Sequence, residues 1–194
     1  VLVDRGCFSQ GRAGRAMVVL ADRHSLRLAI GLDEDATVLF KDGVWEVLTD
    51  SPVLVLDTKG AGHWNDDSGI RNGRLWLLSI GDRFEPSIET ARAAMAKLPL
   101  GPAHRLPKIP RDPWERFAFL KLLAGTSALG EAELRIPSPG RLLVLRASAE
   151  TTAAALRGRG TAGIRRGFFA GPLWWDLVGL TPPDEALRGT NLKK

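Results

Sequence analysis

Residues 1–40 read VLVDRGCFSQGRAGRAMVVLADRHSLRLAIGLDEDATVLF, and they decide the fold class. Val1-Leu2-Val3 is a short apolar run of the kind that forms a buried strand. It leads into an Arg- and Gly-rich turn, CFSQGRAGR, in which Gly11 and Gly14 mark tight turns. Met17, Leu20, Ala21 and His24 then fall at helical spacing, which predicts a helix over about residues 13–23. His24 at its end suits the helix dipole better than a catalytic role. Residues 26–32 read as a second buried strand, and Asp33-Glu34-Asp35 stands at its carboxyl end. Strand, turn, helix, strand is an α/β pattern, and in open α/β sheets chemistry collects at the carboxyl ends of strands. The chain opens on what reads as the end of a strand, so the natural domain is expected to extend N-terminally of residue 1.

Outward from this stretch, residues 37–41 and 44–48 flank Asp42-Gly43, the strongest short hairpin signal in the chain. Residues 53–57 and 75–80 are apolar strand candidates, and residues 58–72 a polar, Gly-rich loop carrying His63, Trp64, Asp66 and Asp67. A surface excursion accounts for that loop better than a metal site. Ile88, Ala91, Met95 and Leu98 predict a helix over 86–98. Prolines then punctuate residues 99–113, a linker between a core at 1–98 and a basic extension at 114–194. In the extension, Phe117, Leu120 and Ala124 predict a helix over 114–124. Residues 141–147 predict a strand, and Ser148 is the expected N-cap of a helix ending near 158. Residues 168–180, with Trp174 and Trp175, read as a core-forming or docking segment.

Composition excludes several function classes. An apolar fraction of 44% with 25% charged residues is that of a globular protein. No apolar run is long enough to span a bilayer. One cysteine among 194 residues rules out an intrachain disulfide, and three scattered histidines make a poor ligand set. No metal, no cofactor, no membrane and a cytoplasmic location are therefore expected. The net charge of +5 is uneven. Residues 1–97 carry 12 basic and 14 acidic side chains, and residues 98–194 carry 15 and 8. The basic residues are dispersed without interleaved aromatics, so a solvated Arg-rich surface is expected and no nucleic-acid partner.

The two opening clusters resemble the cyanophycinase-type serine exopeptidases, peptidase family S51, within the class I glutamine-amidotransferase-like (flavodoxin-like) α/β fold. The resemblance rests on Val3-Asp4, Phe8-Ser9-Gln10, Gly11-Arg12-Ala13-Gly14-Arg15, the helix, and Gly31-Leu32-Asp33-Glu34-Asp35-Ala36. It continues through the hairpin and strand to Leu75-Trp76-Leu77-Leu78-Ser79-Ile80-Gly81-Asp82-Arg83-Phe84, covering residues 1–90. It implies the C-terminal part of such a sheet domain, followed by an α/β or helical extension. It also implies a Ser-His-Glu triad, in which a base activates the serine and a carboxylate orients the base.

In that scheme the triad acid maps onto Glu34. Arg12 and Arg15 map onto arginines near the substrate pocket, suited to pairing with the carboxylates of a β-aspartyl-arginine or short acidic peptide. The histidine position falls on Gly6 ungapped, or on Cys7 if Phe8-Ser9-Gln10 is matched, and neither supplies an imidazole. Cys7 is expected as a buried, inert thiol before a nucleophile. The family's serine elbow would precede residue 1. Gly125-Thr126-Ser127-Ala128-Leu129-Gly130 mimics it, but it follows a helix pattern where an elbow needs strand–turn–helix. A helix C-cap at Gly125 with a new N-cap at Thr126 or Ser127 is expected there. The expected partners are an anionic peptide and either a second copy of the chain or a missing N-terminal half. A non-catalytic module binding an anionic peptide or a partner protein is the alternative.

Overall fold

The computed structural model describes residues 1–63, 69–101, 105–138, 140–159, 164 and 166–179. In chain order the elements are β1 (Leu2–Arg5), α1 (Ala13–Asp22), β2 (Leu28–Leu32), β3 (Val38–Lys41), β4 (Val44–Val47), β5 (Val53–Asp57), β6 (Gly62–His63), β7 (Ile70–Leu78), β8 (Arg83–Glu85), β9 (Thr90–Arg92), β10 (Leu98–Pro99), α2 (Ala118–Ser127), β11 (Ala132–Ser138), β12 (Arg141–Ala147), β13 (Thr152–Ala155) and β14 (Phe169–Gly179). The fold is mixed α/β. A ten-stranded sheet has the backbone order β1-β2-β5-β7-β14-β12-β11, with β6, β10 and β13 attached at its sides. Among the described residues only β1 and β2 pair in parallel.

Alternation along the strands builds two cores. One face of the sheet presents Leu54, Leu56, Leu75, Leu77, Leu143 and Leu145 to α1 and α2. The other presents Val53, Val55, Trp76 and Leu78 to a second, four-stranded sheet of order β3-β4-β8-β9. That is why β5 is apolar from Val53 to Leu56: both its faces are covered and every residue is buried. Each leucine so buried contributes about 2 kcal/mol. Helix α1 meets the first core through Ala13, Ala16, Met17, Leu20 and Ala21, the spacing visible in the sequence. Trp45, Trp76 and Phe84 stack at tilted angles in the second core, with centroids 5.0–5.6 Å apart.

The sheet crosses the expected linker at 99–113, because β14 inserts between β7 and β12. Residues 168–180 thus form a long central strand, with Trp175 wholly buried. Three expected helices are corrected. Residues 86–98 hold the turn of the β8–β9 hairpin, β9 and the start of β10. Ile88, Met95 and Leu98, whose spacing suggested a helix, are exposed, while Phe84 opposite Ala91 is fully buried. Glu89 with φ 56° turns the chain back where a helix would continue. Residues 152–155 form a strand, since three alanines pair with β10 and β14. Pairing with neighbours outweighs helix propensity here. Ser148 caps a turn, its Oγ accepting the Glu150 N–H at 3.3 Å. The third helix starts at Ala118 instead of residue 114, after Phe117 in a left-handed conformation, and runs through Gly125 to Ser127 without the expected cap. Gly125 is small because a Cβ there would meet Pro107 at 2.9 Å.

On one side the large sheet ends in β1, whose Val1 and Val3 are 69% and 57% exposed. On the other it ends in β11, where Glu133, Arg135 and Pro137 guard the edge.

Candidate functional site

The turn after β1 and the acids after β2 meet, as parallel pairing of the two strands requires. Cys7 N–H donates to the Leu32 carbonyl at 3.2 Å, extending the ladder by one residue. The chain then coils into α1, with Arg12 N–H donating to the Cys7 carbonyl at 2.9 Å. Asp33 organises this loop. Its Oδ1 accepts the Phe8 N–H at 3.0 Å, the Ser9 N–H at 3.1 Å and the Ser9 hydroxyl at 3.0 Å. Sequence reading passed over this role. The signal available was an Asp at a strand end facing a loop short of acceptors. Asp35 accepts the Ser51 hydroxyl at 2.8 Å.

Glu34 is exposed, as is Asp35, and Gln10 Nε2 donates to the Glu34 carboxylate at 3.4 Å. Arg15 pairs with buried Asp4, which raises the guanidinium pKa further. It is a bridge between α1 and β1 before it is a substrate anchor. Arg12 is exposed at the start of α1. With Arg15, Gly11, Gly14 and Trp114 it lines a shallow cleft of about 280 Å³.

Gly6 has φ 70°, and a Cβ there would run into Gln10 at 2.6 Å. An imidazole at this position would need both strain and displacement of Gln10. Cys7 is fully buried with its Sγ against Gly31, where a Cβ would lie 2.5 Å away. Burial, then the charges of Asp33 and Asp4, push its thiol well above the ordinary range. Near neutrality that favours the protonated, less reactive form of the thiol. Accordingly, a thiol-specific alkylating reagent at pH 8 is expected to modify Cys7 at least about a hundredfold more slowly in the native protein than in denaturant. Equal rates would overturn the burial argument. Because the folded chain holds that proton more tightly, the thiol's contribution to stability declines as pH rises through the unfolded thiol's pKa.

Ser127 is the last residue of α2, buried, with its hydroxyl donating to the Ala124 carbonyl at 3.1 Å. That is the C-terminal end of a helix, where an elbow needs a strand-to-helix turn. His24 is exposed beyond the end of α1. Trp64, Asp66 and Asp67 lie outside the described residues, as does the side chain of His63. Among the described residues no group of three metal-ligating side chains converges, and no helix is long and apolar enough to cross a membrane. Several basic residues of the second half are ion-paired: Arg141 with Asp22, Arg146 with Asp176 and Arg166 with Asp50, at 2.5–2.9 Å.

The fold and this strand-end cluster define a mixed α/β protein with acid, amide and guanidinium groups at one end of its only parallel strand pair among the described residues. Comparison with curated proteins gives the relationship: the chain is similar to cyanophycinases. It is 33% identical over 106 residues to those of Trichormus variabilis and Nostoc sp., a match covering 50% of this chain and 35% of each relative. It is 33% identical over 92 residues to that of Geminocystis herdmanii, covering 43% and 34%. The chain thus spans about a third of the length of the relatives it matches. No family model matches it.

Proposed function

We propose that this chain supplies the acid-and-arginine side of a cyanophycinase-like serine peptidase site acting on β-aspartyl-arginine or other short acidic peptides. One observation carries the reading. Exposed Glu34, held by Gln10, follows the carboxyl end of β2, while the loop from β1 delivers exposed Arg12 to the start of α1. Glu34 has the role of the carboxylate that orients a catalytic imidazole, and Arg12 that of a partner for a substrate carboxylate. Nucleophile and base then come from sequence beyond the matched segment, in the glutamine-amidotransferase-like arrangement. The apolar edge of β1, with Val1 and Val3 exposed, suits a further strand of the same sheet. Cyanophycinase similarity supports the substrate class.

The second reading, a non-catalytic module that binds an anionic peptide, is favoured by the chemistry at 6 and 7, a left-handed glycine and a buried protonated thiol. Calorimetric titration of the chain with β-aspartyl-arginine, coupled to an assay for free arginine, separates the two. Binding is expected, weakened about tenfold or more by Arg12→Ala, since a hydrogen bond to a charged group is worth ~1.5–3 kcal/mol. Arginine release is expected only when a polypeptide bearing a Gly-x-Ser-x-Gly elbow is present, and it should fall with Glu34→Gln. Absence of binding at millimolar peptide would sink both readings. Release that never appears with the elbow polypeptide leaves the binding module.

A further inference from the structure

A second cluster lies at the far end of the sheet. Asp57 pairs in register with Leu28, the first residue of β2, whereas Glu34 follows its last. One register row runs Asp57–Arg74–Trp174–Arg146 across β5, β7, β14 and β12. Above it opens a cleft of about 770 Å³ lined by Lys59, Asn72, Arg74, Glu89, Arg146 and Trp174. That size is in the ordinary range for small-ligand sites.

Three cations converge on one carboxylate. Glu89 Oε1 accepts Arg27 Nη2 at 3.0 Å and lies 2.5 Å from Lys59 Nζ, and Glu89 Oε2 pairs with Arg74. Fully buried Asp57 takes Arg27 Nε at 3.3 Å, yet its Oδ2 has no hydrogen bond and faces Arg74 Nη2 at 3.5 Å. Arg146 is held by Asp176 and by Asn72. Arg27, Lys59, Arg74 and Arg146 therefore face Asp57, Glu89 and Asp176, a surplus of one positive charge. With Glu89 swung out the surplus is two.

The backbone sets Glu89 apart. It has φ 56° in the turn between β8 and β9, and Asn72 across the cleft has φ 59°. Left-handed non-glycine residues are uncommon and cluster at ligand clamps and switches. Trp174 is half-buried, belongs to neither core, and lies between two arginines. An indole so placed is suited to stack on a planar ligand whose charge the arginines take up.

We propose that Arg27, Lys59 and Arg74 form an anion site which Glu89 fills from within the chain. The cleft beside it takes a small dianion with a planar body, an aryl phosphate or aromatic dicarboxylate, which displaces Glu89 and stacks on Trp174. This site is independent of the peptide reading above.

Titration calorimetry near physiological ionic strength, with phenyl phosphate, phthalate and inorganic phosphate as probes, tests it. Phenyl phosphate or phthalate binds the wild-type chain, and whichever binds more tightly names the source of the charge. Glu89→Gln, which removes the competing carboxylate, tightens binding about tenfold or more. Lys59→Gln, at a half-exposed side chain, weakens it about tenfold. Trp174→Leu abolishes any preference for phenyl phosphate over inorganic phosphate. Two results overturn the proposal. One is no binding of any probe to either the wild-type chain or Glu89→Gln. The other is binding that Lys59→Gln leaves unchanged, which also decides the matter if Glu89→Gln does not fold.

Discussion

Lys97→Met is expected to lose about 3–5 kcal/mol of stability, the range for breaking a buried ion pair from one side. Lys97 Nζ lies 2.5 Å from Asp82 Oδ2 and 2.9 Å from Ser79 Oγ, with both charged side chains fully buried. Asp82 also accepts the backbone N–H groups of Ser79 and Ala94, each at 2.8 Å. The Ser79 hydroxyl donates to the Phe168 carbonyl at 3.0 Å. One carboxylate and one hydroxyl thus tie the turn after β7, the segment before β10 and the entry to β14. Removing the ammonium leaves a carboxylate in the interior without its counter-charge.

Burial pushes the Asp82 carboxyl up and the Lys97 ammonium down, in each case ahead of the opposite pull of the partner. The raised carboxyl contributes stability at low pH that is lost as pH rises through its folded pKa. The lowered ammonium contributes stability that grows as pH rises through its folded pKa. Both directions identify the charged pair as a cost that its hydrogen bonds offset. Asp82→Asn combined with Lys97→Met, which removes both charges and keeps an amide oxygen for the Ala94 N–H, should therefore recover part of the loss. Urea unfolding measures all three proteins. A loss under about 1 kcal/mol for Lys97→Met, or a double variant no better than the single, would falsify this account.

Gly11→Ala is the second large effect, at about 3 kcal/mol or more. Gly11 has φ 65°, and a Cβ there would lie 1.9 Å from the Trp114 carbonyl oxygen. A left-handed alanine costs about 1–2 kcal/mol, and overpacking against a part that cannot rotate away adds about 1–3. The Trp114 backbone cannot retreat easily. Its ring stacks on Phe119 at 4.9 Å and would meet a Cβ on Gly14 at 2.8 Å, and Phe117 N–H donates to the Phe8 carbonyl at 2.9 Å. Gly43→Ala is the control: φ is 80°, but nothing lies within 4 Å of its added carbon, so about 1 kcal/mol of backbone strain is all it should lose. Equal losses for the two variants would show that the approach of Trp114 is no constraint. Gly11→Ala should also weaken peptide binding, because Gly11 lines the same cleft as Arg12.

Local signals served the reading best where one window holds all the relevant physics. Asp42-Gly43 placed the β3–β4 hairpin, the valine–leucine run placed β5, and the spaced apolar residues Met17, Leu20 and Ala21 placed α1. The glycines of residues 6–14 were legible as turn positions, but not their second purpose. Gly11 and Gly14 make room for Trp114, which no local pattern announces. At the strand-end site, Glu34 and Gln10 were visible as neighbours of a resemblance, whereas the structural work falls to Asp33. The ion pair of Arg15 with Asp4 had no local signal, because the two groups meet only when α1 packs beside β1. The far cleft was invisible for the same reason: Lys59, Arg74, Glu89, Arg146 and Trp174 sit on different elements and meet only through strand register.

The amino-acid sequence by itself determined several of the turns and about half of the described strands. It also determined that a lone thiol forms no disulfide within these 194 residues. Tertiary structure decided the rest. It placed β14 between β7 and β12, so that segments on both sides of the proline-rich stretch share one sheet and one core. It made strands of residues 90–92 and 152–155 against their spacing, and it chose which carboxylate neutralises which cation. The physical reason is one of range. Periodicity and turn chemistry act within a few residues, whereas strand pairing, burial and charge compensation are settled among groups that the chain brings together only when it folds.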